Sequence, residues 1–97
     1  MWCDPDPEDR PGCRYNNDRS MACYFGSDIT EQFLSKNHFS MIIRSHEVKE
    51  KGYEFEHNNK LLTVFSASSY NGGSNCGAFA RWLITMIMIR CVFHFKY

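Results

Sequence analysis

The pattern of apolar and polar positions predicts one amphipathic helix near the middle of the chain. Apolar residues, among them Phe33 and Leu34, recur at helical spacing over residues 28–37. Ser27 or Asp28 offers a side-chain oxygen that suits the N-cap of this helix. We therefore expect a helix that packs one face against a small core.

Shorter apolar or alternating runs predict strands on the C-terminal side of the helix. The predicted strands are residues 39–43, 52–56, 61–67, 78–84 and 87–96. The first is apolar enough for a buried strand, and the next two flank a polar turn at 57–60, which predicts a hairpin. Residues 1–20 are rich in Asp, Pro, Asn and Arg, and residues 68–77 in Ser, Gly and Asn, so both segments predict loops.

Length and charge narrow the class of protein. The 97 residues suit one small domain or a part of a larger one. The formal net charge is +0, which argues against a nucleic-acid partner bound through a broad basic face. The longest apolar run, 82–89, is far shorter than the roughly 20 residues of a membrane helix and lies between Arg81 and Arg90, so no membrane span is expected.

The cysteines predict reduced thiols rather than a zinc site. None of the five is separated from another by the two to four residues typical of zinc ligands. The first residues also lack the apolar stretch of a signal peptide, which favours the cytoplasm or the nucleus. A redox protein that uses Cys3, Cys13 and Cys23 has little in the sequence to favour it.

Three residues are candidates for phosphate chemistry, each with a simpler alternative. His46 follows an apolar run in a polar corner and suits a metal ligand, although a lone histidine at a strand end is more often only hydrogen-bonded. The planar guanidinium of Arg19 suits a phosphoryl group, but most loop arginines are merely solvated. The hydroxyl of Tyr70 suits a phosphate or a metal-bound water, or its ring packs on the fold.

Six motifs occur in an order that carries a family resemblance. They are Trp2-Cys3-Asp4-Pro5, Asn17-Asp18-Arg19, Tyr24-Phe25-Gly26, Ile43-Arg44-Ser45-His46-Glu47, Gly52-Tyr53-Glu54 and Phe65-Ser66-Ala67-Ser68-Ser69-Tyr70. Over residues 1–80 this order resembles the C-terminal half of the catalytic domain of the phosphoprotein phosphatases, the metal-dependent serine/threonine type. The likeness is nearest to the EF-hand-bearing retinal-degeneration-C type and next to the type-5 enzyme.

The resemblance implies an α/β fold, a part of the metallophosphoesterase (calcineurin-like) β-sandwich flanked by helices. Residues 1–97 would form the C-terminal half of that domain, with 81–97 divergent. Two divalent metal ions (Mn, Fe or Zn) would activate a water that hydrolyses phosphoserine or phosphothreonine. Phosphoprotein substrates and regulatory subunits or domains are the implied partners.

The resemblance also implies roles for six residues. His46 would bind a metal, Arg19 the substrate phosphate, and Tyr70 the phosphate or the bridging water. Trp2 would line a hydrophobic substrate groove, with Asp4 and Asp18 at its edge.

The departures from the family pattern limit what the chain is expected to do alone. The family's Gly-Asp-x-His-Gly, Gly-Asp-x-x-Asp-Arg-Gly and Gly-Asn-His-Glu segments, which supply most metal ligands, are not in this sequence. Ser20 replaces a usual Gly, Cys3 a usual Ser and Ser69 a usual Asn. We therefore expect the isolated chain to be inactive. The alternative is a non-catalytic phosphatase-like fragment that acts as a binding module or has no function.

Overall fold

The computed structural model describes the backbone of residues 2–83 and 86–92 and the side chains as far as Arg81. Two compact units divide the chain. The first comprises Met1–Ile43 and Phe55–Leu62, and the second comprises Arg44–Glu54 and Thr63–Tyr97. Across the described residues no helix is both long and apolar enough to cross a membrane.

A three-stranded sheet lies in the first unit. Its strands are β1 (Asp4–Pro5), β2 (Cys13–Asn16) and β3 (Ala22–Phe25), in the order β1-β3-β2. Strand β3 runs parallel to β1 and antiparallel to β2. The prediction of a loop over residues 1–20 is therefore wrong, because β1 and β2 obtain their backbone hydrogen bonds from β3, a partner that local composition does not reveal.

The helix α1 spans Ser27–Asn37, which confirms the predicted helix. The predicted N-cap is wrong, because the N-cap position is Gly26, which has no side chain to contribute. The loop between β1 and β2 supplies the capping hydrogen bonds instead. Asp9 accepts hydrogen bonds from the Ser27 backbone N–H at 2.7 Å and from its hydroxyl at 3.0 Å, and these bonds lower the pKa of the Asp9 carboxyl.

The core of the first unit packs α1 against β3 and the 57–60 turn. Leu34 and Phe25 are buried, whereas Phe33, predicted on the same face, is 47% exposed. His57 is buried beside the ring of Phe25, with the ring centroids 5.7 Å apart in a T-shaped arrangement. Its Nδ1 lies 2.8 Å from the hydroxyl of the buried Thr30, so a turn residue completes the core.

A second sheet contains the predicted hairpin. Its strands are β4 (Ile42–Arg44), β5 (Tyr53–Glu56) and β6 (Leu61–Val64), in the order β4-β6-β5. Strands β5 and β6 are neighbours joined by the 57–60 turn, which confirms the hairpin.

The prediction of a buried strand over 39–43 is confirmed only for the strand at Ile42 and Ile43, and the predicted burial is wrong. Phe39 is 59% exposed, and β4 begins only at Ile42. The backbone N–H of Phe39 donates to the carbonyl of Leu34 at 3.0 Å, and its ring lies 6.1 Å from that of Phe33. Phe39 therefore belongs to the end of α1 rather than to a strand.

The last two predicted strands are confirmed as an antiparallel pair. Strand β7 (Gly77–Leu83) pairs with β8 (Met86–Val92) along its length. The predicted extension of β8 to residue 96 lies outside the described residues.

A close approach of two backbone segments supports β7. Gly52 has a φ of +79°, and a Cβ atom there would lie 2.6 Å from the backbone nitrogen of Ala78. Both the positive φ and the lack of space require glycine at this position.

Candidate active site

Asn16 organises the turn that carries Arg19. It is the last residue of β2, and its side chain is fully buried. Its Oδ1 accepts hydrogen bonds from the backbone N–H groups of Asp18 at 3.0 Å and Arg19 at 3.2 Å. The Asn16 carbonyl also accepts from the N–H of Ser20 at 3.1 Å. One side chain and one carbonyl therefore fix the backbone of the whole turn.

Asp4 fixes the side chain of Arg19. Asp4 is only 3% exposed, and its Oδ2 accepts a hydrogen bond from the Arg19 Nε at 2.5 Å. The same oxygen accepts from the Asn16 side-chain amide at 3.1 Å. A charged hydrogen bond through Nε holds the plane of the guanidinium, while the Arg19 side chain stays 29% exposed. Such an arginine suits a bidentate contact with a phosphate group.

The other two candidate residues of the first unit, Asp18 and Trp2, are exposed at the surface. The hydroxyl of Tyr24 donates to Asp18 Oδ2 at 2.7 Å in an exposed pair. Trp2, two residues before Asp4, is 69% exposed. The structure thus places Asp18 and Arg19 on one turn, which a hydrogen bond joins to Asp4 on β1.

Ser20 takes a backbone conformation that glycine adopts more easily. Its φ is +57°, in the left-handed region. The Tyr15 hydroxyl donates to the Ser20 carbonyl at 2.7 Å and holds this conformation. The turn therefore keeps its hydrogen bonds although serine replaces the glycine of the resembled family. The left-handed backbone conformation costs more free energy for serine than for glycine.

His46 lies in the second unit, in a corner closed by ion pairs. It is exposed, and its φ of +90° is unusual for a residue other than glycine. Arg44 pairs with Glu47 across the corner and donates to the Thr63 hydroxyl at 3.3 Å. Lys49 extends the network to Glu47 at 3.8 Å. These contacts hold the backbone that presents the imidazole.

Tyr70 begins a short 3-10 helix (Tyr70–Gly72) in a segment built around Asn75, which is 8% exposed. Asn75 accepts from the Tyr70 N–H at 2.9 Å and donates to the Ala67 carbonyl at 2.8 Å. The Tyr70 ring packs edge-on against Phe65, with the ring centroids 5.2 Å apart, and the residue stays 48% exposed.

Backbone hydrogen bonds connect the loops that carry His46 and Tyr70. The N–H of Cys76 donates to the carbonyl of Glu50 at 2.8 Å, and that of Phe65 to Gly52 at 2.7 Å. The loop before β5 and the loop after β6 therefore lie side by side within the second unit.

The described residues do not by themselves form a metal centre. Within the described residues, no three His, Cys, Asp or Glu side chains are grouped so that they could hold an ion. His46 fits the part of a single imidazole ligand, and a hydrolytic metal centre needs several ligands.

Sequence reasoning assigned no role to Asn16, Glu47 or Asn75. Asn16 carries a local signal, since an asparagine two residues before Asp18 and three before Arg19 is the spacing of an Asx turn. The role of Asn75 depends on its burial and has no comparable local signal.

Comparisons with known proteins bear on the class to which this site belongs. No family model matches the chain. A segment of 82 residues, 84% of the chain, is 53% identical to the mouse serine/threonine-protein phosphatase with EF-hands 1 and corresponds to 12% of that protein. It is 50% identical to the human serine/threonine-protein phosphatase with EF-hands 2 and 48% identical to the rdgC phosphatase of Drosophila melanogaster, of which it covers 11% and 12%.

A solved structure extends the comparison to the fold. It is a protein serine/threonine phosphatase from Saccharomyces cerevisiae, described as similar to human phosphatase PP5. The superposition has a TM-score of 0.84 with 30% identity and covers all of this chain but 33% of that one.

The class of protein follows from these findings. The chain is homologous to serine/threonine protein phosphatases, and its α/β fold matches a part of the fold of a PP5-like phosphatase. Within that class, the predicted resemblance to the EF-hand-bearing, retinal-degeneration-C phosphatases is confirmed. The chain spans about 12% of the length of these relatives.

Proposed function

We propose that this chain supplies the substrate-phosphate-binding part of an enzyme that hydrolyses phosphoserine and phosphothreonine in proteins. The observation that carries the proposal is the hydrogen bond from Arg19 Nε to the buried Asp4 carboxylate at 2.5 Å. A guanidinium whose plane is held before substrate arrives loses little entropy on binding a phosphoryl group. It also stabilises the charge that develops on the phosphoryl oxygens.

His46 and Tyr70 complete the contribution of this chain. His46 would hold one of two divalent metal ions (Mn, Fe or Zn) through a ring nitrogen, and when bound the pair of ions supplies an activated water and neutralises phosphoryl oxygens. The Tyr70 hydroxyl would donate to a phosphoryl oxygen or to the attacking water. Trp2 would contact the substrate protein beside the phosphorylated residue, with Asp4 and Asp18 near that contact.

The remaining metal ligands would come from other parts of a complete catalytic domain. The basis for this step is that the chain spans only about 12% of the phosphatases it resembles. We therefore expect the 97 residues alone to show no turnover. Residues 1–97 would act as one portion of a calcineurin-like domain, and regulatory domains or subunits would act on the complete enzyme.

A chimera tests the proposal without requiring the isolated chain to be active. The homologous 82-residue segment of the mouse EF-hand phosphatase would be replaced by that of this chain and assayed on a phosphothreonine peptide with Mn²⁺. We expect the chimera to retain hydrolysis. Arg19→Ala in the chimera should reduce kcat/KM by about 10²–10³-fold, as for loss of one transition-state donor.

Matched variants separate chemistry from folding. Arg14→Ala removes a half-exposed arginine from the same sheet and should leave kcat/KM within about twofold. His46→Ala should reduce both turnover and the bound metal measured by elemental analysis. A folded chimera that lacks activity, or an Arg19→Ala variant as active as Arg14→Ala, would contradict the proposal.

The second candidate is a non-catalytic binding module. Large apolar side chains exposed at the surface of the first unit favour it, notably Trp2 at 69% and Met21 at 90%. A folded chimera that binds a non-hydrolysable phosphopeptide without turning over the phosphorylated one would support this alternative.

A further inference from the structure

Two thiols lie in contact at the start of the first sheet. The Sγ atoms of Cys3 and Cys23 are 2.9 Å apart, with the Cys23 thiol donating towards Cys3. Strands β1 and β3 are parallel, with Asp4 opposite Tyr24. Extending this register by one residue places Cys3 opposite Cys23, at the roughly 4.8 Å spacing of neighbouring strands, which falls within the range that a disulfide spans.

A third thiol lies on the same face of the sheet. Cys13 is opposite Phe25 and Tyr15 is opposite Cys23 in the antiparallel β2–β3 pair. Cys13 and Cys23 are therefore diagonal neighbours whose side chains share a face. Cys13 is exposed, whereas Cys3 and Cys23 are half-buried.

The surroundings of Cys23 keep it protonated. The hydrogen bond to Cys3, burial, and the nearby Cys13 raise the pKa of the Cys23 thiol to about 12. A protonated Cys23 is a poor nucleophile at neutral pH, so we assign the first attack on an oxidant to Cys3.

We propose that Cys3 and Cys23 are a thiol pair that forms an intramolecular disulfide with a low-molecular-weight disulfide, such as oxidised glutathione, as the oxidant. The Cys3 thiolate attacks one sulfur of the oxidant, forms a mixed disulfide and releases one small thiolate. Cys23 then gives up its proton and attacks the Cys3 sulfur, and the second small thiolate leaves. The protein loses two electrons and two protons, and the oxidant becomes two thiols.

The structure requires little movement for this step. The sulfur atoms must approach from 2.9 Å to about 2.0 Å, and Cys23 lies on β3 while Cys3 directly precedes its paired strand β1. The bond would also attach β3 to the residue before Asp4, which holds Arg19. The disulfide itself is independent of the proposed phosphatase function, because it depends only on the two thiols.

The experiment compares the folded chain with the same chain unfolded in concentrated urea. Both samples are equilibrated in glutathione buffers of graded redox ratio, quenched in acid and alkylated. Cleavage before aspartate then places the three cysteines on separate peptides, 1–3, 9–17 and 18–27. Mass spectrometry of the linked peptides identifies which cysteines are joined.

We expect peptides 1–3 and 18–27 to be joined in the folded chain. The equilibrium constant for forming this disulfide from oxidised glutathione should be at least about tenfold larger than in urea. Cys13→Ser should form the same disulfide, and Cys3→Ser should not form a comparable one. A linkage of 18–27 mainly to 9–17, or the same pairing preference in folded and unfolded chains, would overturn the proposal. Loss of the Cys3–Cys23 disulfide in Cys13→Ser would also overturn it.

Discussion

The Asp4 carboxylate and the Arg19 guanidinium are joined by a hydrogen bond of 2.5 Å between residues 15 apart in the chain. Asp4 lies on β1 and Arg19 on the turn after β2, so the sheet β1-β3-β2 brings them together. In the proposed function, Asp4 is a positioning residue, because a buried acid that accepts from Nε would act on a phosphate only through the arginine.

Asp4→Asn in the chimera should lower kcat/KM by about tenfold or more, since a charged hydrogen bond becomes a neutral one. If Asp4 only positions Arg19, adding Arg19→Ala to Asp4→Asn should cost little beyond Arg19→Ala alone. Steady-state kinetics of the two single variants and the double variant measure this coupling. Glu8→Gln, which changes an exposed acid of the same unit that has no proposed role, serves as the control. Fully additive losses would contradict the positioning role.

Asn16→Ala should lower the free energy of unfolding by about 2 kcal/mol, because buried hydrogen-bonding groups of Asp4 and of the turn lose their partner. Urea unfolding followed by circular dichroism measures the change. Asn17→Ala, at an exposed position of the same turn, should change stability by less than about 0.5 kcal/mol. Equal effects of the two substitutions would show that Asn16 does not organise the turn.

Ser20→Gly should raise the free energy of unfolding by about 1 kcal/mol, because glycine adopts a φ of +57° without the Cβ penalty. Ser40→Gly is the matched control. Ser40 is exposed and is not among the residues with positive φ, so glycine there should be neutral or destabilising. A destabilised Ser20→Gly would mean that the serine side chain contributes more than its backbone costs.

His46→Gly should separate stability from function. The φ of +90° at His46 costs of order 1 kcal/mol, which glycine would recover, so the urea midpoint should rise. The same substitution removes the proposed metal ligand, so turnover and bound metal in the chimera should fall. Ser45→Gly controls for added backbone freedom beside it. Loss of stability in His46→Gly would contradict the backbone argument.

Stability should depend on the protonation of His57. Burial lowers the pKa of His57 below 6.5, although Asp9, Asp28 and Asp6 act in the opposite direction. Among the described residues its Nε2 has no hydrogen-bond partner.

The unfolded chain therefore binds a proton at His57 at a higher pH than the folded chain does. The contribution of His57 to stability is complete above the unfolded pKa of about 6.5 and declines as the pH falls from there towards the lower folded value. Urea midpoints measured between about pH 8 and 5 should fall towards acid, and His57→Gln should flatten the part of that fall near pH 6. The exposed His38→Gln is the control, and an unchanged profile in His57→Gln would contradict the assignment.

The helix α1 and the β5–β6 hairpin could be predicted because their signals are local. Helical periodicity and a polar turn between two strand-like runs do not depend on distant residues. Strand β2 could not be predicted in the same way, since Cys13–Asn16 becomes a strand only by pairing with Ala22–Phe25. Phe39 was misassigned because an apolar residue that closes a helix resembles one that opens a strand.

The residues of the candidate site likewise differ in whether a sequence pattern can reveal them. Arg19, His46 and Tyr70 are candidates only through the order of motifs, since each residue alone favours a simpler interpretation. Asn16 holds Arg19 and Asn75 holds Tyr70, and both act through burial and hydrogen bonds that a sequence pattern does not display.

Gly52 shows why intolerance to substitution is a poor guide to chemistry in this chain. Its backbone lies so close to Ala78 that no side chain fits, and its positive φ disfavours every other residue. Under the proposed function, a saturation-mutagenesis map of phosphatase activity would therefore mark position 52 as sharply as His46, although glycine offers no group that could bind a metal or a phosphate. The amount of folded protein would distinguish the two positions. Loss of activity at Gly52 would follow the loss of folded protein, whereas loss of activity at His46 would not.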